Sequence, residues 1–334
     1  MGSIPPFAVE CDNTWACKTT RRNDMTCSII ARDPATGELG IAVQSRYFAV
    51  GRIVPWIEAG VWAVVSQSFA NPVYGHETLR LLRSGLEPQH ALKKLLSEDP
   101  GEAMRQVAIL DAQGRIAEHT GTQCVPAAGH AAGANCCAQA NMMAKNTIWN
   151  AMVQAFENAS GELADRLLAA MEAAEREGGD VRGRQAASLI VVSGKPSGIS
   201  RLDHSVDLRV DDHPDPVAEI KRLLRYSRAH ERANRAINKA VANDLSAALA
   251  DLDVCCESYP NEPEFLIRRV LVLIPLGRIG EALQTLRQAY AIHPGWSELL
   301  LRFADAKVIP IRREMLEPLV ASVTSENQGS AIRK

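Results

Sequence analysis

"MTCSIIARDPATGELGIAVQSR", residues 25–46, is the first stretch of the chain that reads as ordered structure. "TCSIIARD" is β-branched and apolar, "PATGEL" supplies a Pro/Gly turn, and "GIAVQSRYF" returns as a second strand. Both runs are apolar on both faces, the pattern of strands covered on each side. "GVWAVVSQSFA" is a third strand of the same kind. The opening also raises a chemical question: Thr26 either opens a strand as an ordinary structural residue, or it is a nucleophile at an exposed chain start.

Beyond these strands the pattern changes to helix. In "YGHETLRLLRSGLEPQHALKKLLSEDP", Leu79, Leu81, Leu82, Leu86, Ala91, Leu92, Leu95 and Leu96 fit two short amphipathic helices around a glycine break. "RQVAILDAQGRIAEHTG" reads as a hairpin turning at Ala112-Gln113-Gly114, and "CCAQANMMA" as a further strand. "NTIWNAMVQAFENASGELADRLLAAMEAAEREGGD" gives two helices split at Gly161. "QAASLIVVSG" and "SVDLRVDD" are strands, and "DPVAEIKRLLRYS" is a helix with Asp215 and Pro216 at its start. Grouped strands and grouped helices predict layered α+β packing, two sheets between two helical layers.

From about Arg228 the strand signal ends. Leu245, Ala248, Leu249, Leu252 and Pro260 recur as Ile279, Ala282, Leu283, Leu286 and Pro294, each pair 34 positions apart, the tetratricopeptide period. "EPEFLIRRVLVLIPLGRIGEALQTLRQAYAIHPG" resembles one complete tetratricopeptide repeat; small residues stand at the family's helix-contact positions across the two copies of the period, Ala248 and Cys255, then Ala282 and Ala289. It departs from the pattern in lacking the usual aromatic in its first helix and in placing Pro275 there. "WSELLLRFADAKV" is expected to cap the module. The organisation expected is therefore an extension over 1–24 without order, an α+β domain over 25–226, and an all-α tetratricopeptide-like module over 227–334.

The 334 residues carry 37 Lys and Arg against 39 Asp and Glu, scattered without a basic block, so nucleic acid is not an expected partner. No apolar run reaches the roughly 18 residues of a membrane span, and the first residues lack the apolar segment of a secretory signal. A cytoplasmic protein is the expectation. The eight cysteines (Cys11, Cys17, Cys27, Cys124, Cys136, Cys137, Cys255 and Cys256) form no C-x-x-C pair, which argues against structural zinc and fits small core residues in a reducing compartment. No helical His pair, phosphate loop or G-x-S-x-G elbow is present, so no cofactor is expected.

What chemistry remains centres on Thr26. A hydroxyl needs a base to become a nucleophile, and an N-terminal threonine brings one, an α-amine with pKa about 7.7–8.0. "MTCSIIARDPATGELGIAVQSRYFAVG", "VPWIEAGVWAVVSQSFANPVYG", "DAQGRIAEHTG", "AGH", "CAQANMM", "GGDVRGRQAASL" and "VDLRVDDHPDP" together resemble the bacterial family termed domain of unknown function 1028, grouped with the N-terminal nucleophile hydrolases. The resemblance implies a four-layer αββα sandwich with Thr26 at the nucleophile position. It implies attack on an amide-like carbon, a covalent ester, and hydrolysis.

Asn71, Gln139 and Asn141 are candidate oxyanion donors, or residues that satisfy backbone groups. Arg46 is a candidate for lowering the amine pKa or holding an anionic substrate, and otherwise a surface ion pair. Ser28 shares a face with Thr26 by strand alternation and is a rival nucleophile or a helper hydroxyl. Gln67, Tyr74, His119, His130, Asp180, Arg184 and Gln185 complete the substrate-binding candidates. Asp211, Asp212 and His213 are a metal-site alternative to a capping turn. The expected function is hydrolysis of a C–N bond in a small polar amide, imine or lactam. The alternative is a non-catalytic scaffold that binds a protein partner through the repeats while the sandwich dimerises. The residues before Thr26 are open to three readings: an upstream start, a removable propeptide or a retained extension.

Overall fold

The computed structural model describes residues 26–306 and 311–331, with side chains as far as 325. The expected disorder of residues 1–24, Met25, and Cys11 and Cys17 lie outside the described residues. Two compact units divide between Leu224 and Arg225.

The first unit contains two antiparallel sheets. β1 (Thr26–Arg32), β2 (Leu39–Ser45), β7 (Gly129–Gly133), β8 (Cys136–Asn141), β9 (Ala186–Val192) and β10 (His204–Val210) form one, in the order β10-β9-β2-β1-β8-β7. β3 (Pro55–Glu58), β4 (Trp62–Ser68), β5 (Arg105–Asp111) and β6 (Ile116–Thr120) form the other in sequence order. Period-2 alternation assigns each strand's residues to two different cores. Ile30, Ile41, Val43, Ala63, Val65, Ala108, Leu110 and Cys137 meet between the sheets.

The other faces are covered by helices. Cys27, Ile29, Ala138 and Leu189 pack under α3 (Ile148–Asn158), α4 (Leu163–Arg176) and the start of α5 (Pro216–Val241). Val64, Val107, Ile109 and Ala117 pack under α1 (Val73–Arg83) and α2 (Pro88–Glu98). The layer order is thus helix, sheet, sheet, helix. The Gly114 turn has φ of 85°, which suits a residue without Cβ. "GHAAG", residues 129–133, is the edge strand β7.

The second unit is helical: the later turns of α5, then α6 (Leu245–Ser258), α7 (Pro263–Leu273), α8 (Ile279–Ile292), α9 (Gly295–Asp305) and α10 (Arg313–Ala331). Its core takes Ala248, Leu252, Cys255, Ala282, Leu286 and Ala289, the small and apolar residues that recur at 34-residue spacing. Pro275 does not interrupt a helix, because α7 ends at Leu273 and the proline stands in the following turn. No helix among the described residues is long and apolar enough to cross a membrane.

Candidate functional site

Between the two sheets the apolar core gives way to polar residues at one strand end. β1 begins there, and alternation that sends Ile30 into the inter-sheet core also sends Thr26 and Ser28 to that face. β1 pairs with β8 so that Thr26 stands opposite Asn141 and Ser28 opposite Gln139. From the facing sheet come Gln67 of β4 and Gln106 of β5, which are cross-strand neighbours. Thr26, Ser28, Gln67, Gln106, Gln139 and Asn141 are all fully buried.

Burial on this scale demands partners, and most are present. The Gln67 amide donates to the Thr26 carbonyl at 3.0 Å, to Gln106 Oε1 at 2.8 Å and to the Gln139 carbonyl at 3.3 Å. Asn141 Nδ2 donates to the Thr26 carbonyl at 3.4 Å and to Gln106 Oε1 at 3.0 Å. The Ser28 hydroxyl donates to Gln67 Oε1 at 2.6 Å, and Thr26 Oγ1 donates to Ser45 Oγ at 3.3 Å. Exceptions fall on two residues of β8: Gln139 Nε2 and Oε1 and Asn141 Oδ1 are buried without a hydrogen-bond partner. Strain accompanies the site, since Ser68 and Met142, at the ends of β4 and β8, hold left-handed φ of 66° and 56°. Such non-glycine residues cost on the order of 1–3 kcal/mol each.

The structure therefore brings together Thr26, Ser28, Gln67, Gln139 and Asn141 among the residues singled out in the sequence, and adds Ser45 and Gln106. His130 joins at the edge: it pairs with Gln139 across the ladder, and its Nδ1 lies 2.8 Å from Thr120 Oγ1. Burial holds the His130 imidazole below its usual range, only partly countered by Glu118. Asp180 stands at the rim, where its carboxylate accepts from the Arg46 backbone N–H at 3.0 Å, one residue past β2. The Arg46 side chain is exposed.

The remaining candidates are engaged elsewhere. Asn71 and Tyr74 both bond Asp99 Oδ2, at 3.4 and 3.1 Å, beside the Arg105–Asp99 ion pair on the α1 side of the four-stranded sheet. His119 Nε2 lies 3.0 Å from the Glu102 carbonyl. Arg184 forms ion pairs with Glu175 and Asp215, and Gln185 donates to Asp212. Glu175 also accepts from Gln44 at 2.7 Å, and burial pushes its carboxyl up in spite of Arg184. Asp211 is paired with Arg209, and His213 Nδ1 accepts from the Asp215 backbone N–H. Among the described residues no three His, Cys, Asp or Glu side chains converge as a metal site. Cys27, next to Thr26 in sequence, points to the helical face, and burial pushes its thiol far up, so it offers no thiolate.

A family model matches residues 26–220, more than half of the chain, from Thr26 through all ten strands. The chain belongs to DUF1028, a family of unknown function. The DUF1028 region contains every member of the inter-sheet group. The crystal structure of protein SPO2555 from Silicibacter pomeroyi, also of DUF1028, is similar at 32% identity, covering 61% of this chain and 86% of its own, with a TM-score of 0.55. Anbu, the ancestral β-subunit from Yersinia bercovieri, is similar at 12% identity over 57% of this chain and 88% of its own, with a TM-score of 0.29. No curated protein matches the chain.

Proposed function

We propose that the DUF1028 unit is an N-terminal nucleophile hydrolase that uses Thr26 to cleave a C–N bond in a small polar amide, imine or lactam. One observation carries this reading. Thr26 heads an interior strand of an αββα sandwich, and buried amides from both sheets converge on its carbonyl. Ser28 is the weaker nucleophile, since its hydroxyl proton is committed to an amide oxygen that is no base.

In the full chain the Thr26 nitrogen is an amide and cannot accept a proton, so the Met25–Thr26 bond must first be broken. With an amide or lactam as substrate, the freed amine then takes the Oγ1 proton while Oγ1 bonds to the substrate carbonyl carbon. The oxyanion is met by a donor, for which Gln139 Nε2 has the requisite burial and unused N–H groups. Collapse breaks the C–N bond, the ammonium proton passes to the departing nitrogen, and water hydrolyses the Thr26 ester with the amine again as base.

Intact mass and N-terminal sequencing of the purified chain test the first requirement. Loss of all residues through Met25 is expected. Thr26 should then be acylated by a β-lactone and turn over small amides or imines, and Thr26→Ala should do neither. A full-length chain with no processed fraction and no turnover would sink the reading.

A second reading has its own observation. The helical unit carries a groove of about 730 Å³ lined by Asp253, Glu257, Asn261, Arg269, Gln288 and Ile292, which suits a protein partner docking on tetratricopeptide-like helices. A Thr26→Ala chain that keeps all cellular function would favour it.

A further inference from the structure

Gln106 spans the gap between the sheets. It sits on β5, yet its Nε2 donates to backbone carbonyls of the opposite sheet, Gly129 at 3.1 Å and Ala140 at 2.9 Å, and to Thr120 Oγ1 at 3.0 Å. Carbonyls of paired strands cannot turn away, so this amide has one permitted orientation. Its Oε1 must then face Gln67 Nε2 and Asn141 Nδ2, and does so at 2.8 and 3.0 Å. A flipped Gln106 would set oxygen against two carbonyls and nitrogen against two N–H₂ groups.

We propose that Gln106 is a positioning residue of the Thr26 site, taking its orientation from two fixed backbone carbonyls and imposing it on the Asn141 amide, which together with Gln67 holds the Thr26 carbonyl. Its importance for reaction rests on the nucleophile reading above, but the orienting role is measurable without it. Gln67, whose Nε2 faces the Thr26 and Gln139 carbonyls, donates to the same Gln106 oxygen and keeps its own Oε1 toward Ser28, so the network surrounds the Thr26 carbonyl and the Ser28 hydroxyl.

Substitution separates orientation from space-filling. Gln106→Met keeps the volume and loses both functions. Gln106→Glu keeps both only while protonated, when its O–H donates to a carbonyl and its other oxygen accepts from Gln67 and Asn141. That carboxyl would be fully buried against two carbonyls, which favours the protonated form. The ionisable groups around it are His130 on β7, reached through Thr120, Glu118 on β6, and Cys137 on β8. β1 and β4 present only the Thr26 amine once freed, with Arg32 at the far end of β1, and α2 covers the opposite face of β5.

The readout is hydrogen exchange of the Asn141 side-chain amide in the full chain by NMR, compared with the parent at the same pH. Backbone exchange in β1 and β8 controls for the fold. Gln106→Met should lose at least tenfold protection. Gln106→Glu, read at low pH where it is protonated, should match the parent. Protection in Gln106→Met within twofold of the parent, or a low-pH Gln106→Glu as unprotected as Gln106→Met, would overturn the proposal. Should Gln106→Met not fold, Gln106→Leu is read by the same criterion. β-Lactone acylation of processed chains should follow the same order. An unreactive parent with the predicted exchange pattern would remove the nucleophile reading and leave the positioning role standing.

Discussion

Gln139 is the residue at which stability and chemistry pull in opposite directions. Each buried polar atom left without a partner costs about 1–3 kcal/mol, and its amide leaves both Nε2 and Oε1 in that state. Gln139→Met replaces the amide with an apolar chain of similar size. The urea midpoint of the variant should rise, by about 1–3 kcal/mol of stability, while acylation of Thr26 slows about 10²–10³-fold, the usual loss for an oxyanion donor. Faster or unchanged acylation would remove Gln139 from the oxyanion role. Alternation along "TCSIIARD" and "CCAQAN" made Thr26, Ser28, Gln139 and Asn141 legible as polar residues on apolar strands. Gln106 and Ser45 were not. Gln106 follows Arg105 and reads as a polar lead-in to "VAILD"; its meaning lies in bonds to the opposite sheet, which no strand taken alone displays.

Elements were legible where their burial is two-sided. β1, β2, β4, β5, β8 and β9 lie inside their sheets and have apolar faces against both a helical layer and the other sheet; all but β8 announce themselves by β-branched residues, and "CCAQAN" by small apolar ones. β3 and β7 are edge strands, paired on one side, and "PWIE" and "GHAAG" lack that signal. Close approach between elements also left a mark that only the structure explains. Gly75 lies within α1, and a Cβ there would come within 2.1 Å of the Trp56 indole on β3. Gly75→Ala gains roughly 0.8–1 kcal/mol of helix propensity, but overpacking a rigid ring costs about 1–3 kcal/mol. The clash outweighs the gain in propensity because the contact falls on the ring itself and not on a flexible tip. Thermal unfolding of Gly75→Ala should therefore occur below that of the parent; a higher midpoint would mean that the indole turns aside at little cost.

For the whole molecule, chemistry turns on one peptide bond. The 34-residue period and the loss of strand signal made a helical second part legible, and the strand grouping anticipated a layered first part. Whether Thr26 carries an amine or an amide is a matter of processing, which residue patterns do not record. The consequence is a pH dependence that separates the two forms. An ordinary α-amine titrates at about 7.7–8.0; burial such as that of Thr26 disfavours its charged form and lowers that value. Since the neutral amine is the base, acylation of a processed chain should rise with pH and level off at or below about pH 7.7, while the unprocessed chain reacts at no pH. His130, whose imidazole burial also holds low, offers a second source for such an acid limb. The two are told apart by His130→Asn. If the amine governs, the limb keeps its midpoint in the variant, because the proton that matters leaves the nitrogen of Thr26. A limb that disappears with His130 would move the base to the far end of the Thr120 contact and away from the chain terminus.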